Sequence, residues 1–278
     1  MEVLFEDSDL LIINKPAGTV VNRADTVNAP TIQEWMEERL AADKSTASDW
    51  QALLPSSFTE EFGTPEEVFK ERGGVVHRLD KDTSGALVLA KNPGSLINLL
   101  AQFKQRTVHK TYTCLVHGKL RFEKGTVSVP LGRASGNRKK FAVVADGRTA
   151  ETNYQVEAFY PHLNVEKIIQ DNKASQSEVT NFKKKAKIYQ GFSLITCWPK
   201  TGRTHQIRVH MKHLGHPIVG DVTYLGHKRA SLDPVWCSRQ FLHASLVTVA
   251  QPRTSEPIEV TAPLTADLQQ VLELVTIE

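Results

Sequence analysis

Apolar positions along the chain fall into short runs and alternations. Leu10-Leu11-Ile12-Ile13 is a continuous apolar run closed by the turn cluster Asn14-Lys15-Pro16-Ala17-Gly18, which predicts a buried strand feeding a loop. Ile32, Trp35, Met36 and Leu40 share one helical face, and Thr31 with Glu34 has the capping-box pattern, so 31–40 predicts a helix. Residues 86–90 form a second buried-strand run, followed by a helix carrying Leu96, Leu99, Leu100 and Phe103. Further strands are predicted over 111–117, 149–160, 192–198 and 244–250. The alternation in 152–159 suits a sheet with one wet face. A helix over 206–214 is stopped by Gly215 and Pro217, and another spans 266–275. Residues 41–72 are polar and mixed, without a clear assignment. Residues 163–190, with Lys183-Lys184-Lys185-Ala186-Lys187 amid Gln, Asn and Ser, predict an inserted, mobile, basic hairpin or loop. The fold class is α+β, with mostly antiparallel strands.

Composition narrows the function classes. The 278 residues are 40% hydrophobic and 23% charged, ordinary for a globular chain with a sizeable core. No apolar run approaches the roughly 18 residues of a membrane span. The acidic opening lacks the basic and long apolar regions of a secretion signal, so a cytoplasmic protein is expected. Cys114, Cys197 and Cys237 are odd in number and far apart, which speaks for buried free thiols over disulfides or a cysteine zinc site. No G-x-G-x-x-G or Walker loop follows a strand, which argues against a nucleotide cofactor.

The net charge of +3 hides an asymmetry. Residues 1–70 hold 14 acids and 5 Lys/Arg, a net of −9. Residues 104–148 hold 11 Lys/Arg against 2 acids, a net of +9, and residues 197–253 hold 8 against 2, a net of +6. Two basic stretches in an otherwise acidic protein suggest a polyanion-binding surface, although long Lys and Arg stems can also simply solvate strand faces.

Two segments concentrate polar groups between apolar flanks. One is His77-Arg78-Leu79-Asp80-Lys81-Asp82-Thr83-Ser84-Gly85; the other is Gly202-Arg203-Thr204-His205-Gln206-Ile207-Arg208-Val209-His210. Alone, the first reads as a turn between strands and the second as an exposed basic helix. Together they resemble the H-R-L-D-x-x-T-S-G and G-R-T-H-Q-I-R-x-H motifs of the RluA-type family of pseudouridine synthases. Asp9 to Gly18 resembles that family's D-x-L-x-x-x-N-K-P-x-G, and Lys110-Thr111-Tyr112 its K-x-Y. Gly215 to Asp221 resembles its G-x-P-I-x-G-D, and Leu242-His243-Ala244 its L-H-A. The motifs keep the family's order from residue 9 to 244. The chain departs from the family in a long link over about 22–72, an insertion over about 163–190 and the lack of an S4 RNA-binding module. The resemblance thus implies a single catalytic domain over 1–278.

The resemblance implies a central mixed, mostly antiparallel sheet with flanking helices and a basic central cleft. The activity it implies is isomerisation of uridine in ribosomal or transfer RNA to pseudouridine, without cofactor or metal. Asp80 corresponds to the catalytic carboxylate, which can act as nucleophile or base. Arg208 is the candidate ion-pair partner of Asp80, holding it charged in a dry pocket. Tyr112 is the candidate stacking residue for a flipped uracil, and its phenol can assist proton transfer at C5. Asp80, Tyr112 and Arg208 are expected within about 10–12 Å of one another, since they must reach one base. Arg78, two residues before Asp80, shares its face if the segment is a strand. Arg78, Arg203, His205, Leu242 and Lys110 are candidate RNA contacts, and Lys104, Arg106, Arg138, Lys139 and Lys140 candidate phosphate contacts. Lys15 is given no catalytic part, and a core leucine is an equal reading of Leu242. The expected partner is RNA, with no membrane, and the protein is expected to be a monomer.

Two rivals stand against this reading. His205, His210, His213 and His216 are close in sequence, but the spacing of five between the first two does not align two zinc ligands on a helical turn. A catalytically silent RNA binder would have no need to keep the carboxylate, the tyrosine and the arginine together.

Overall fold

The structure is a computed structural model and describes residues 1–25, 27–42, 49–172 and 176–277. In chain order, the first elements are β1 (Glu2–Glu6), β2 (Leu10–Lys15), α1 (Ile32–Ala42), α2 (Pro65–Arg72), β3 (Ser84–Ala90) and α3 (Pro93–Gln105). Then come β4 (His109–His117), β5 (Lys124–Ser128), β6 (Leu131–Ala134), β7 (Asn137–Val143), β8 (Glu151–Tyr160) and β9 (His162–Leu163). Next are α4 (Val165–Asn172), α5 (Gln176–Ala186), β10 (Phe192–Pro199), α6 (Gln206–His213) and α7 (His227–Leu232). The chain closes with β11 (Leu242–Ala250), β12 (Pro257–Thr261), α8 (Ala266–Leu274) and β13 (Val275–Thr276). The class is α+β with mostly antiparallel strands, as the alternation pattern implies. Among the described residues, no helix is long and apolar enough to cross a membrane.

The described residues form two compact units. The first comprises Met1–Lys110 and Ala244–Pro263. Its strands run in the order β1, β2, β3, β11, with β12 on β11. The β2–β3 pair is antiparallel, from Leu10 opposite Ala90 to Lys15 opposite Gly85. Leu10, Ile12, Val88, Leu96, Leu99, Val247 and Val249 form its core, so the two apolar runs lie in the middle of a sheet covered by α3. The helix ends follow local chemistry. Thr31 and Glu34 make the expected reciprocal bonds ahead of α1. Asn92 caps α3 by accepting the Ser95 N–H at 2.8 Å, with Pro93 in the first turn. The polar stretch 41–72 contains α2, bounded by a Thr64–Glu67 capping box and a left-handed Gly73. Residues 43–48 of that stretch lie outside the described residues.

The second unit comprises Thr111–His243 and Leu264–Glu278. Its strands run β4, β10, β8, β5, all antiparallel. Cys114, Leu115, Phe192, Ile195, Met211, Ile218 and Phe241 fill its core. Strands β6 and β7 form a separate hairpin. The three cysteines are buried and free.

Residues 163–190 are largely helical, which corrects the expectation of a hairpin or loop. Ile168 in α4 and Phe182 and Ala186 in α5 are at most 9% exposed and join the second unit's core. Few apolar positions, spaced three or four apart among many polar ones, are enough to seat a helix that packs on an existing core. Residues 173–175 lie outside the described residues.

Candidate active site

In the first unit, the Asp80 segment is extended but is not a strand. Val75 makes a lone bridge with Leu89, and regular pairing resumes only at Ser84. The strand that would put Arg78 and Asp80 on one face is therefore not formed, and a turn ahead of β3 is closed by the Thr83 N–H on the Asp80 carbonyl at 3.1 Å. Burial still alternates: Arg78 is exposed, Leu79 buried and Asp80 half-buried. Inward anchoring comes from His77 and Leu79. The His77 ring stacks on Phe103 with centroids 4.6 Å apart, and its Nε2 accepts the Val88 N–H at 3.0 Å. Enclosure of the ring, with Lys110 nearby, pulls the His77 pKa down to about 3, so it stays a neutral acceptor.

Lys110, expected to touch RNA, lies with its ammonium 5.6 Å from the Phe103 ring centroid, and burial lowers its pKa.

Behind the segment sits Lys15, which is fully buried. Its Nζ donates to the carbonyls of Pro16 at 2.8 Å, Thr19 at 2.9 Å and Lys81 at 2.9 Å. The Gly18 N–H reaches the same Lys81 carbonyl at 2.9 Å. The residue after Asp80 is thus tied to the loop following β2 by a buried lysine. Gly85 closes the segment with φ of 113°, and a Cβ there would fall 2.2 Å from the Ala244 carbonyl oxygen, so no other residue fits.

In the second unit, Tyr112 lies on β4 opposite Cys197, half-buried and packed on the core. Arg208 lies on α6 and is 5% exposed. Its Nε and Nη2 donate to Asp221 Oδ2 at 2.7 Å and Oδ1 at 2.8 Å, a two-pronged pair. Its guanidinium carbon lies 5.1 Å from the centroid of the Tyr224 ring. Asp221 is itself held from behind. Asp233, fully buried, accepts the Gly220 N–H at 2.9 Å, the Tyr189 hydroxyl at 2.8 Å and shares a 2.8 Å bond with His117 Nε2. Burial lowers the His117 pKa and raises that of Tyr189.

The loop before α6 is fixed by Gln206. Its Oε1 accepts from the Thr201 hydroxyl at 2.6 Å and the Arg203 N–H at 3.0 Å, while Nε2 donates to the Glu151 carbonyl at 2.9 Å and Thr152 Oγ1 at 3.0 Å. His205 takes a left-handed conformation, φ 56°, and places Nδ1 2.8 Å from the Tyr224 hydroxyl. Arg203 is half-buried and its Nε donates to the Thr149 carbonyl at 3.2 Å. His210 is buried, with Nδ1 2.9 Å from Thr152 Oγ1, and burial holds its pKa near 4. Leu242 is 4% exposed within the core, the ordinary reading of that residue. The side chains of Arg138 and Lys139 lie outside the described residues.

Sequence reasoning gave no role to Asp221, Tyr224 or Gln206, and for Lys15 left support of the core and contact with RNA both open. The available signal was a charged or amide residue inside an apolar stretch, since such a group is buried only with partners.

Comparison with known proteins gives a consistent result. A family model described as RNA pseudouridylate synthase matches residues 9–213. A Bacillus subtilis protein named uncharacterized RNA pseudouridine synthase YlyB is 32% identical over 273 residues, covering 98% of this chain and 72% of that protein. A Nitrosomonas europaea protein named ribosomal large subunit pseudouridine synthase D is 33% identical over 281 residues, covering 99% of this chain and 65% of its own length. The solved structure of human RNA pseudouridylate synthase domain containing 1 shares the fold, with a TM-score of 0.63 at 24% identity over 95% of this chain and 83% of that one.

Proposed function

The chain belongs to the RNA pseudouridylate synthase family, isomerases that convert uridine in RNA to pseudouridine, and on that premise we propose which residues act and on which RNA. In the reaction the C1′–N1 bond breaks, the uracil turns and a C1′–C5 bond forms. The C5 proton leaves and N1 acquires one, so no atom or electron is gained or lost overall. The target uridine leaves its stack to be reached.

Asp80 is the catalytic carboxylate. What carries this assignment is the anchoring around it: a half-buried acid followed by a carbonyl that collects both the Lys15 ammonium and the Gly18 N–H. A reacting group gains most when its backbone cannot drift. Arg208 is the cation assigned to partner the Asp80 carboxylate in the reaction. Asp221 holds its Nε and Nη2, which fixes the guanidinium for that part. Tyr112 supports the flipped base. Arg78 and Arg203 grip phosphate, and the basic β6–β7 hairpin with Lys140 extends that contact. His205 contributes by shaping the loop that carries Arg203.

The substrate proposed is ribosomal RNA, in agreement with the name of the Nitrosomonas relative. The protein works as a monomer in the cytoplasm, as one catalytic domain. The test is tritium release from RNA transcripts labelled at uracil C5, ribosomal and transfer RNA in parallel. Release from ribosomal RNA is expected. Release from transfer RNA alone would overturn the substrate assignment, and release from neither would overturn the function.

A further inference from the structure

Tyr224 stands where three parts of the second unit meet. Its hydroxyl accepts the Phe141 N–H from β7 at 3.0 Å and lies 2.8 Å from His205 Nδ1. One hydroxyl thus touches both β7 and the residue that opens α6. The Tyr224 ring face lies beneath the Arg208 guanidinium at 5.1 Å, with Lys212 Nζ at 5.6 Å. Asp221 fixes the guanidinium within its plane, and the aromatic face fixes its tilt. The side chain is only 4% exposed.

The hairpin is tied to the same place by further contacts. Lys140 Nζ donates to the Thr223 carbonyl at 2.7 Å, and Phe141 meets the His205 ring edge-on at 5.8 Å. Arg133 lies over Phe141 at 5.6 Å. In sequence the hairpin carries Arg133, Arg138, Lys139 and Lys140 within eight positions. A ring that merely filled space would serve as well without its hydroxyl; here the hydroxyl spans two elements and the face holds a buried cation.

We propose that Tyr224 is a positioning residue that joins the basic β6–β7 hairpin to Arg208, its hydroxyl setting the hairpin for the RNA backbone and its ring setting the guanidinium for the reaction. The proposal rests on the reading of Arg208 and the hairpin given above. The two halves of the side chain have separable effects. Tyr224→Phe keeps the face and loses the hydroxyl; Tyr224→Leu loses both.

The experiment measures kcat and KM for pseudouridine formation, together with amide hydrogen exchange over 131–143, in the wild type and both variants. Tyr224→Phe is expected to raise KM about 3- to 12-fold, the worth of the Phe141 N–H bond that ties the hairpin, with faster exchange in 131–143 and a smaller loss in kcat. Tyr224→Leu is expected to lower kcat about 30-fold, the scale of a desolvated cation–ring contact. Equal kcat in the two variants would overturn the ring's part. Wild-type KM and wild-type exchange in Tyr224→Phe would overturn the hydroxyl's part. Should Tyr224→Leu fail to fold by circular dichroism, Tyr224→Phe decides through KM and exchange. A wild type that forms no pseudouridine overturns the proposed function and the ring's part with it; exchange and RNA affinity of Tyr224→Phe then still judge the hairpin, and unchanged values of both would overturn that as well.

Discussion

Replacing Lys15 by Met isolates the buried ammonium beneath the Asp80 loop. Methionine nearly fills the lysine stem's volume and leaves the apolar packing in place. The substitution removes the charge-assisted hydrogen bonds of 2.8, 2.9 and 2.9 Å to the carbonyls of Pro16, Thr19 and Lys81. Such bonds contribute about 1.5–3 kcal/mol each, against which the ammonium no longer has to be desolvated, a cost of several kcal/mol. The Lys81 carbonyl retains the Gly18 N–H. The expected net loss is about 2–4 kcal/mol in urea unfolding followed by far-UV circular dichroism, with an unchanged m-value. Lys81→Ala is the control: its side chain is exposed and its carbonyl stays, so a loss within about 0.5 kcal/mol is expected. A Lys15→Met loss below about 1 kcal/mol would refute the idea that this cation holds the loop.

Three further outcomes follow from the same geometry. His77 and His210 have folded pKa values near 3 and 4, below the unfolded value of about 6.5. The unfolded chain therefore binds protons that the folded one refuses: their contribution is intact above pH 6.5 and lost progressively as pH falls toward 4 and then 3. Urea midpoints across that window should fall, less steeply in His77→Gln; identical slopes would contradict this. Asp221→Asn removes the carboxylate charge that the buried Arg208 meets through Nε and Nη2 and should cost about 3–5 kcal/mol in the same unfolding assay, and a near-neutral result would mean the pair is not held as described. RNA affinity should fall linearly on a log–log salt plot, and Arg78→Ala should reduce the slope's magnitude by about 1; an unchanged slope would remove Arg78 from the phosphate contacts.

Much of the fold was legible because its strands are short apolar runs with clear punctuation. The β2 run ends at the Asn14–Gly18 turn, and Thr31 with Glu34 announces α1. Residues 163–190 were misread because α4 and α5 place few apolar residues among many polar ones, and only packing on an existing core makes them helices. The turn ahead of Gly85 was legible from Asp82 and Ser84, whereas the strand that would have put Arg78 and Asp80 on one face does not form. For the site, the motifs named Asp80, Tyr112 and Arg208. They did not reveal that Lys15 anchors the residue after Asp80, or that Asp221 and Tyr224 hold Arg208 on two sides. Those roles come from contacts 66, 13 and 16 positions apart in sequence, which no local pattern encodes.

The most direct measurement is C5 tritium release by Asp80→Ala and Asp80→Asn beside the wild type, with RNA affinity measured on the same preparations. Asp80 is half-buried at a loop, so both variants should fold and bind RNA within a few-fold of the wild type. The account predicts release by the wild type and none by either variant. Turnover retained in Asp80→Ala would contradict it and move the chemistry to another residue.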